Sequence, residues 1–277
     1  MSGPVPIERK FTVKLHRLLI FKSAVPVDTT HPSHFVAPEM IQTSLEKVCV
    51  AWVSYLQDFV NQTTKLFGTP ELPWKGTERA MVSSLAAAII RRFPNSLVVE
   101  EGRVPRTGKA TWGRCDLWAS IPDLTHAGTR FSFYLEAKKS DRSKRPEALL
   151  AFLKSDRGLS RLFRDYGKSH RNPISKLSAY TKLPNRVHEH YVIGMLVTRL
   201  KAVKKDAAKI EATLREVFEN RQAIALRNRS EGEVQKRKRS LGRLPTVAVV
   251  VLPNDVSGSG MIASFTVFGS AGELRAK

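Results

Sequence analysis

Cysteine is scarce in this chain, and its two copies, Cys49 and Cys115, lie far apart in the sequence. Two isolated cysteines supply neither a disulfide framework nor the paired spacing of a zinc site. No apolar run is long enough to span a membrane, and the sequence contains no signal-peptide core and no lipidation motif. We therefore expect a protein of the reducing cytoplasm that has no membrane partner.

Internal repeats, a Walker-type phosphate loop and a glycine-rich dinucleotide fingerprint are also absent from the sequence. Motifs that hold a nucleotide phosphate need glycines at fixed spacing, because the backbone must approach the phosphate closely. We therefore expect no nucleotide-driven motor in this chain.

Acidic side chains are few: 25 Asp and Glu stand against 46 Lys and Arg, which gives a net charge of +21. Such an excess implies an anionic partner, and nucleic acid fits better than a membrane surface. The excess is uneven, because residues 1–140 carry a net charge of +6 and residues 141–277 carry +15. In the second half, the run that we expect to contact phosphate groups is Lys236, Arg237, Lys238 and Arg239. A solvated loop is the alternative interpretation of this run.

The chain is long enough to bury a full core, since 42% of its 277 residues are hydrophobic. Apolar residues at helical spacing predict a long helix over residues 39–66, which packs on the same chain or on a partner chain. A second helix is predicted from Thr77, its cap, to about Arg92. We divide the chain into an N-terminal helical extension, residues 1–70, and an α/β domain with a basic C-terminal half, residues 71–277.

Short apolar runs predict strands at 96–104, 191–200, 244–252 and 262–268, and a strand or short helix at 11–21. Further helices are expected over 147–154, 158–166 and 203–224, and residues 139–146 are expected to form a basic loop. Together these elements predict an α/β fold with a central mixed β-sheet flanked by helices.

Two strand-like segments, residues 113–120 and 131–138, contain the strongest functional signal. Side chains alternate along a strand with a period of two. One face of the first segment therefore contains Arg114 and Asp116, and one face of the second contains Glu136 and Lys138. The other face of each segment is apolar and suited to packing against helices.

The connection between the two segments decides which side chains meet. With a turn centred near His126, antiparallel pairing puts Asp116 opposite Glu136, with Lys138 one step further along. Opposed carboxylates repel each other, and the pair becomes useful if a divalent cation lies between them. Asp123 is excluded as the acid of this pair, because it lies about 25 Å from Glu136 along the ladder at ~3.3 Å per residue.

An acid on one strand followed by Glu-x-Lys on the next resembles the PD-(D/E)xK nuclease superfamily. The resemblance runs from Thr77 to Ser140, with weaker support as far as Leu200. It implies a restriction-endonuclease-like core in which Asp116 and Glu136 bind Mg²⁺ or Mn²⁺. Lys138 would orient the attacking water or help to deprotonate it.

The resemblance also assigns roles to residues around this motif. In many members a glutamate on the helix before the sheet joins the metal cluster, and Glu78 is the matching position. The alternative is that Glu78 is only a first-turn acid favoured by the helix dipole. Arg114 and Lys139 are expected to contact nucleic acid, although Arg114 also fits a simple salt bridge.

The function that the resemblance implies is a metal-dependent nuclease that hydrolyses phosphodiester bonds, with a DNA endonuclease favoured. The sequence alone does not distinguish DNA from RNA, or an endonuclease from an exonuclease. The nuclease would serve as the cleavage subunit of a bacterial antiviral defence, restriction or recombination system, as a homodimer or with a partner subunit. The alternative function is a nucleic-acid-binding or assembly subunit whose nuclease-like fold no longer cuts.

Overall fold

A computed structural model of the chain describes residues 9–12, 16–22, 39–69, 71–101, 103–105, 112–122, 130–144, 190–201, 208, 212, 247–253 and 259–270. The helices predicted at 147–154 and 158–166 and the basic run at 236–239 lie outside these described residues. Of the helix predicted over 203–224, only Ala208 and Ala212 are described, and both have helical backbone.

The first long helix, α1 (Glu39–Phe67), confirms the helix predicted over residues 39–66. It ends at Gly68, whose φ of 70° is a left-handed conformation that glycine adopts without steric cost. The N–H of Gly68 donates to the carbonyl of Thr64 at 2.9 Å and closes the last turn. The buried face of α1 belongs to the same hydrophobic core as the strands, so this helix packs on its own chain.

The second long helix, α2 (Glu78–Arg92), also confirms its prediction. The side chain of Thr77 caps its first turn by accepting the N–H of Ala80 at 3.3 Å. A short 3-10 turn, Pro73–Lys75, precedes the cap and buries Trp74. The helix ends at Phe93, before Pro94, as the sequence predicts.

Ten strands complete the described structure. They are β1 (Arg9–Thr12), β2 (His16–Lys22), β3 (Leu97–Glu100), β4 (Arg103–Pro105), β5 (Trp112–Arg114), β6 (Leu117–Pro122), β7 (Arg130–Lys144), β8 (His190–Lys201), β9 (Val247–Pro253) and β10 (Ser259–Ser270). Eight of them form one sheet in the order β1-β2-β9-β10-β8-β7-β6-β3, and β4 and β5 form a separate pair.

The large sheet is mixed, because β7 and β8 are parallel whereas the other neighbouring strands are antiparallel. Helices α1 and α2 pack on one face of this sheet and share its core. Trp52 of α1 donates its indole N–H to Ser84 of α2 at 2.8 Å and meets Phe265 of β10 edge to face. The general α/β class and the mixed sheet are therefore confirmed.

The N-terminal segment is part of this sheet. Residues 11–21, predicted as a strand or a short helix, lie mostly in two strands, and β2 pairs with β9 near the other end of the chain. Helix α1 also contributes to the common core.

Three strands differ from their predicted bounds. The segment predicted at 113–120 is divided into β5 and β6, because the backbone bends at Asp116. The segment predicted at 96–104 is divided at Glu101, whose φ is 50°. The loop predicted at 139–146 is wrong, since β7 continues to Lys144 by pairing with β8, with an irregularity after Ser140. Within the described part of the chain, no helix combines the length and hydropathy needed to cross a membrane.

Candidate functional site

The register of β6 and β7 matches the one predicted from the sequence. Leu117 lies opposite Leu135, and in all six pairs of this ladder the two residues lie equally far from residue 126 along the chain. The ladder ends at this pair, because the backbone bends at Asp116. The carboxylate of Glu136 still raises the pKa of Asp116, so the two acids lie close to each other. Leu117 and Leu135 face the helices, so Glu136 and Lys138 belong to the opposite face of the sheet.

Beyond Leu135, no strand among the described residues pairs with β7 on the edge that faces β6, and two carboxylates bind the backbone of that edge. The N–H of Ala137 donates to Oδ2 of Asp116 at 2.7 Å, and the N–H of Lys139 donates to Oε2 of Glu78 at 2.9 Å. Alternate amides of a strand point to the same edge, so both donors would otherwise be left at the free edge of β7. Helix α2 thus brings Glu78 to the strand that carries Glu136 and Lys138.

The ammonium group of Lys138 lies between two carboxylates. Its Nζ is 3.1 Å from Oε1 of Glu78 and 3.5 Å from Oε1 of Glu136, and it donates to the carbonyl of Ala137 at 2.7 Å. The side chain of Glu136 is 11% exposed, whereas those of Lys138 and Glu78 are each 35% exposed. The cluster is therefore open to solvent on the side of α2 and buried on the side of Glu136.

The charges in this cluster shift two pKa values. The pKa of Asp116 is raised by burial and then by the carboxylate of Glu136, and the hydrogen bond from Ala137 only partly opposes this rise. Burial alone would lower the pKa of Lys138, but the carboxylates of Glu136 and Glu78 outweigh it and raise that pKa. Lys138 is therefore cationic at neutral pH, beside three acids.

Further contacts tie α2 to the strands around the cluster. The ammonium group of Lys139 donates to the carbonyl of Gly76 and, at 3.5 Å, to that of Lys75. Residues 100 and 101 bind α2 as well: Ser83 donates to Glu100 at 2.5 Å, and Arg79 pairs with Glu101 at 3.3 Å. The sequence does not predict the backbone partners, because a carbonyl or amide group leaves no residue-type signal.

Of the residues expected to bind nucleic acid, the structure describes Arg114 and Lys139. Arg114 lies in β5, opposite Arg103 in the two-stranded sheet. The bend between β5 and β6 removes the period-two argument that put Arg114 on the same face as Asp116. The ammonium group of Lys139 is engaged by backbone carbonyls. The remaining four, Lys236, Arg237, Lys238 and Arg239, lie outside the described residues.

Asp116 and Glu136 fit a hard divalent cation. Burial and mutual repulsion raise the pKa of Asp116, and a dication bound between the two carboxylates would remove that repulsion. Glu78 differs from them, because its two oxygens accept hydrogen bonds from Lys138 and Lys139. Among the described residues, no three His, Cys, Asp or Glu side chains are arranged to hold a metal ion.

Comparison of the chain with models of known protein families, with curated proteins and with solved structures found no match. The function is therefore argued from the arrangement of Asp116, Glu136, Lys138 and Glu78 and from the charge of the chain.

Proposed function

We propose that this protein is a metal-dependent nuclease with a restriction-endonuclease-like core of the PD-(D/E)xK type, and that its substrate is DNA. The observation that carries the proposal is the approach of Asp116 to Glu136 at the end of the ladder between β6 and β7, with the ammonium group of Lys138 beside Glu136. A pair of opposed, half-buried acids is unfavourable for folding alone, so a functional role explains its presence better than a structural one.

Each residue has a separate role in this proposal. Asp116 and Glu136 would hold Mg²⁺ or Mn²⁺, which supplies charge stabilisation at the phosphate and the leaving oxygen when it is bound. Lys138, held close to Glu136, would orient the attacking water and stabilise the negative charge that builds up on the phosphate. The net charge of +21 favours binding of the polyanionic substrate before the reaction.

The test is cleavage of supercoiled plasmid, single-stranded DNA and single-stranded RNA by the purified full chain. We expect cleavage of DNA with Mg²⁺ or Mn²⁺ and none with a chelator. Cleavage of RNA alone would show that the substrate is RNA and not DNA. Cleavage that persists with the chelator would contradict the metal-dependent mechanism.

Lys138→Ala links the activity to this site. We expect this variant to lose cleavage by at least about a hundredfold, as is usual when a group that stabilises developing charge is removed. Its DNA binding should be nearly unchanged, because Lys138 is one cation among 46. The control is Lys65→Ala, which removes an exposed cation from the last turn of α1 and should cut like the wild type. If Lys138→Ala cuts as fast as the wild type, the site is assigned wrongly.

The second candidate function is a nucleic-acid-binding or assembly subunit that no longer cuts. One observation favours it: Asp116 and Glu78 already satisfy the amides of Ala137 and Lys139, so these two acids have a structural role without any cation. In that case the wild type should bind DNA in a salt-dependent way and cut nothing with either metal, even when a co-encoded partner is added.

A further inference from the structure

Lys139 of β7 is connected to the beginning of α2 by two sets of hydrogen bonds, one from its backbone and one from its side chain. Glu78 of α2 accepts the N–H of Lys139, and the side chain of Lys139 returns to the carbonyls of Gly76 and Lys75. We propose that Glu78 and Lys139 form a latch that fixes Lys138 in place, and that Glu78 is a positioning residue and not a metal ligand. This inference rests on the proposed nuclease function.

Both oxygens of Glu78 are committed to β7. Oε1 lies 3.1 Å from Nζ of Lys138, and Oε2 accepts the amide of Lys139 at 2.9 Å. Each carboxylate oxygen has a second lone pair, so a cation would not have to displace these donors. A cation on Oε1 would, however, lie beside the ammonium group of Lys138 and be repelled by it.

The turn whose carbonyl groups accept hydrogen bonds from the side chain of Lys139 is packed closely against the core. Trp74 anchors it in the core with 1% of its surface exposed, and the side chain of Thr77 caps the helix directly after it. A Cβ atom at Gly76 would lie 3.1 Å from the Cβ of Ala80 and from the carbonyl of Pro73, so the backbone there is closely surrounded. The carbonyl of Gly76 is therefore a fixed acceptor.

This geometry changes the role expected of Lys139. Its backbone and its side chain both bind the start of α2, so its contribution is to hold β7 against the helix. The ammonium group of Lys138 is then held from both sides, by Glu78 from the helix and by Glu136 from its own strand. The latch thus sets the position of the lysine relative to the acid pair.

The first test measures hydrogen exchange of the Lys139 amide in the metal-free full chain. Glu78→Ala removes the acceptor and should speed exchange by about fivefold or more, whereas Glu78→Gln retains a carbonyl acceptor and should change it little. Asp58→Asn is the control, because it removes the same charge from a pair with Arg91 near the other end of α2. Unchanged exchange in Glu78→Ala would overturn the latch.

The second test separates positioning from metal binding by comparing Glu78→Ala, which removes the acceptor of the Lys139 amide, with Lys139→Met. These variants change the charge in opposite directions, so a purely electrostatic effect should move the affinity for Mn²⁺ in opposite directions. Loss of the latch should instead lower kcat in both, with little change in KM. We expect the affinity for Mn²⁺, measured by calorimetry, to stay within about fivefold of the wild type in both variants.

Asp116→Asn provides the reference for loss of a true ligand, and it should weaken Mn²⁺ binding by about tenfold or more. If Glu78→Ala weakens binding as much as Asp116→Asn does, Glu78 is a ligand and the inference is wrong. If the wild type neither binds Mn²⁺ nor cuts DNA, the proposed function fails. In that case, the hydrogen exchange of the Lys139 amide is the measurement that tests the latch.

Discussion

Asp116 is stabilised by one neighbour and destabilised by another. Its Oδ2 accepts the amide of Ala137 at 2.7 Å, while burial and the carboxylate of Glu136 raise its pKa. An asparagine at this position can accept the same hydrogen bond without the charge. The two contributions can therefore be separated by substitution.

We expect Asp116→Asn to raise the midpoint of thermal unfolding at pH 7 in the presence of a chelator, because the repulsion from Glu136 is removed. Asp116→Ala should instead lower the free energy of unfolding by about 1–3 kcal/mol, since the amide of Ala137 loses its acceptor. Thermal melting measures the first value, and urea denaturation measures the second. An Asp116→Asn protein that is less stable than the wild type would show that the repulsion is not significant.

The raised pKa of Asp116 predicts that the stability of the fold depends on pH. An acid whose pKa is raised in the folded state binds its proton more tightly there, so it favours folding below its unfolded pKa of ~3.9. This contribution is lost as the pH rises through the higher folded value. The advantage of Asp116→Asn over the wild type should therefore be largest near neutral pH and should disappear as the pH falls below about 4. An advantage that is independent of pH would contradict this explanation.

At the scale of elements, the cap of α2 holds the first turn from which Glu78 extends. Thr77→Ala removes the acceptor of the Ala80 amide and should lower the free energy of unfolding by about 1 kcal/mol. Thr77→Ser keeps the hydroxyl and is the control that should remain close to the wild type. Equal stability of the alanine and serine variants in urea denaturation would show that the cap contributes nothing.

The elements that could be predicted from the sequence are those specified by local signals. The cap at Thr77, the proline after Phe93 and the apolar spacing of α1 fix the helices within a residue or so. The register of β6 and β7 also follows from a short connection and two alternating patterns, and its last pair, Leu117 and Leu135, directly precedes Asp116 and Glu136. These features depend on residues that are close together in the chain.

The features that could not be predicted depend on distant partners. β7 continues to Lys144 because β8 is there to pair with it, although residues 139–144 are polar and basic. The amide of Lys139 finds its acceptor in Glu78, 61 residues away. The sequence identified Glu78 by its place on the helix, but its contacts with Lys138 and Lys139 required the packed structure.

At the scale of the whole molecule, the excess of positive charge determines how the protein meets nucleic acid. Neutralising Lys236, Arg237, Lys238 and Arg239 together should weaken binding to unrelated DNA sequences about equally. The slope of log affinity against log salt should fall by about 0.9 for each phosphate contact that is lost. The control neutralises Lys65 and Arg92, two exposed cations on α1 and α2. An unchanged slope would show that the run is only a solvated loop.

The contacts of the cluster span very different lengths of chain. The bond between Asp116 and Ala137 closes 21 residues, whereas the bond between Glu78 and Lys139 closes 61. The entropy lost on closing a loop costs about 0.6 kcal/mol more for each doubling of its length, so the hairpin of β6 and β7 should form first. The acid pair would then come together before α2 docks. The ammonium group of Lys138 would be fixed only afterwards, when Glu78 reaches β7.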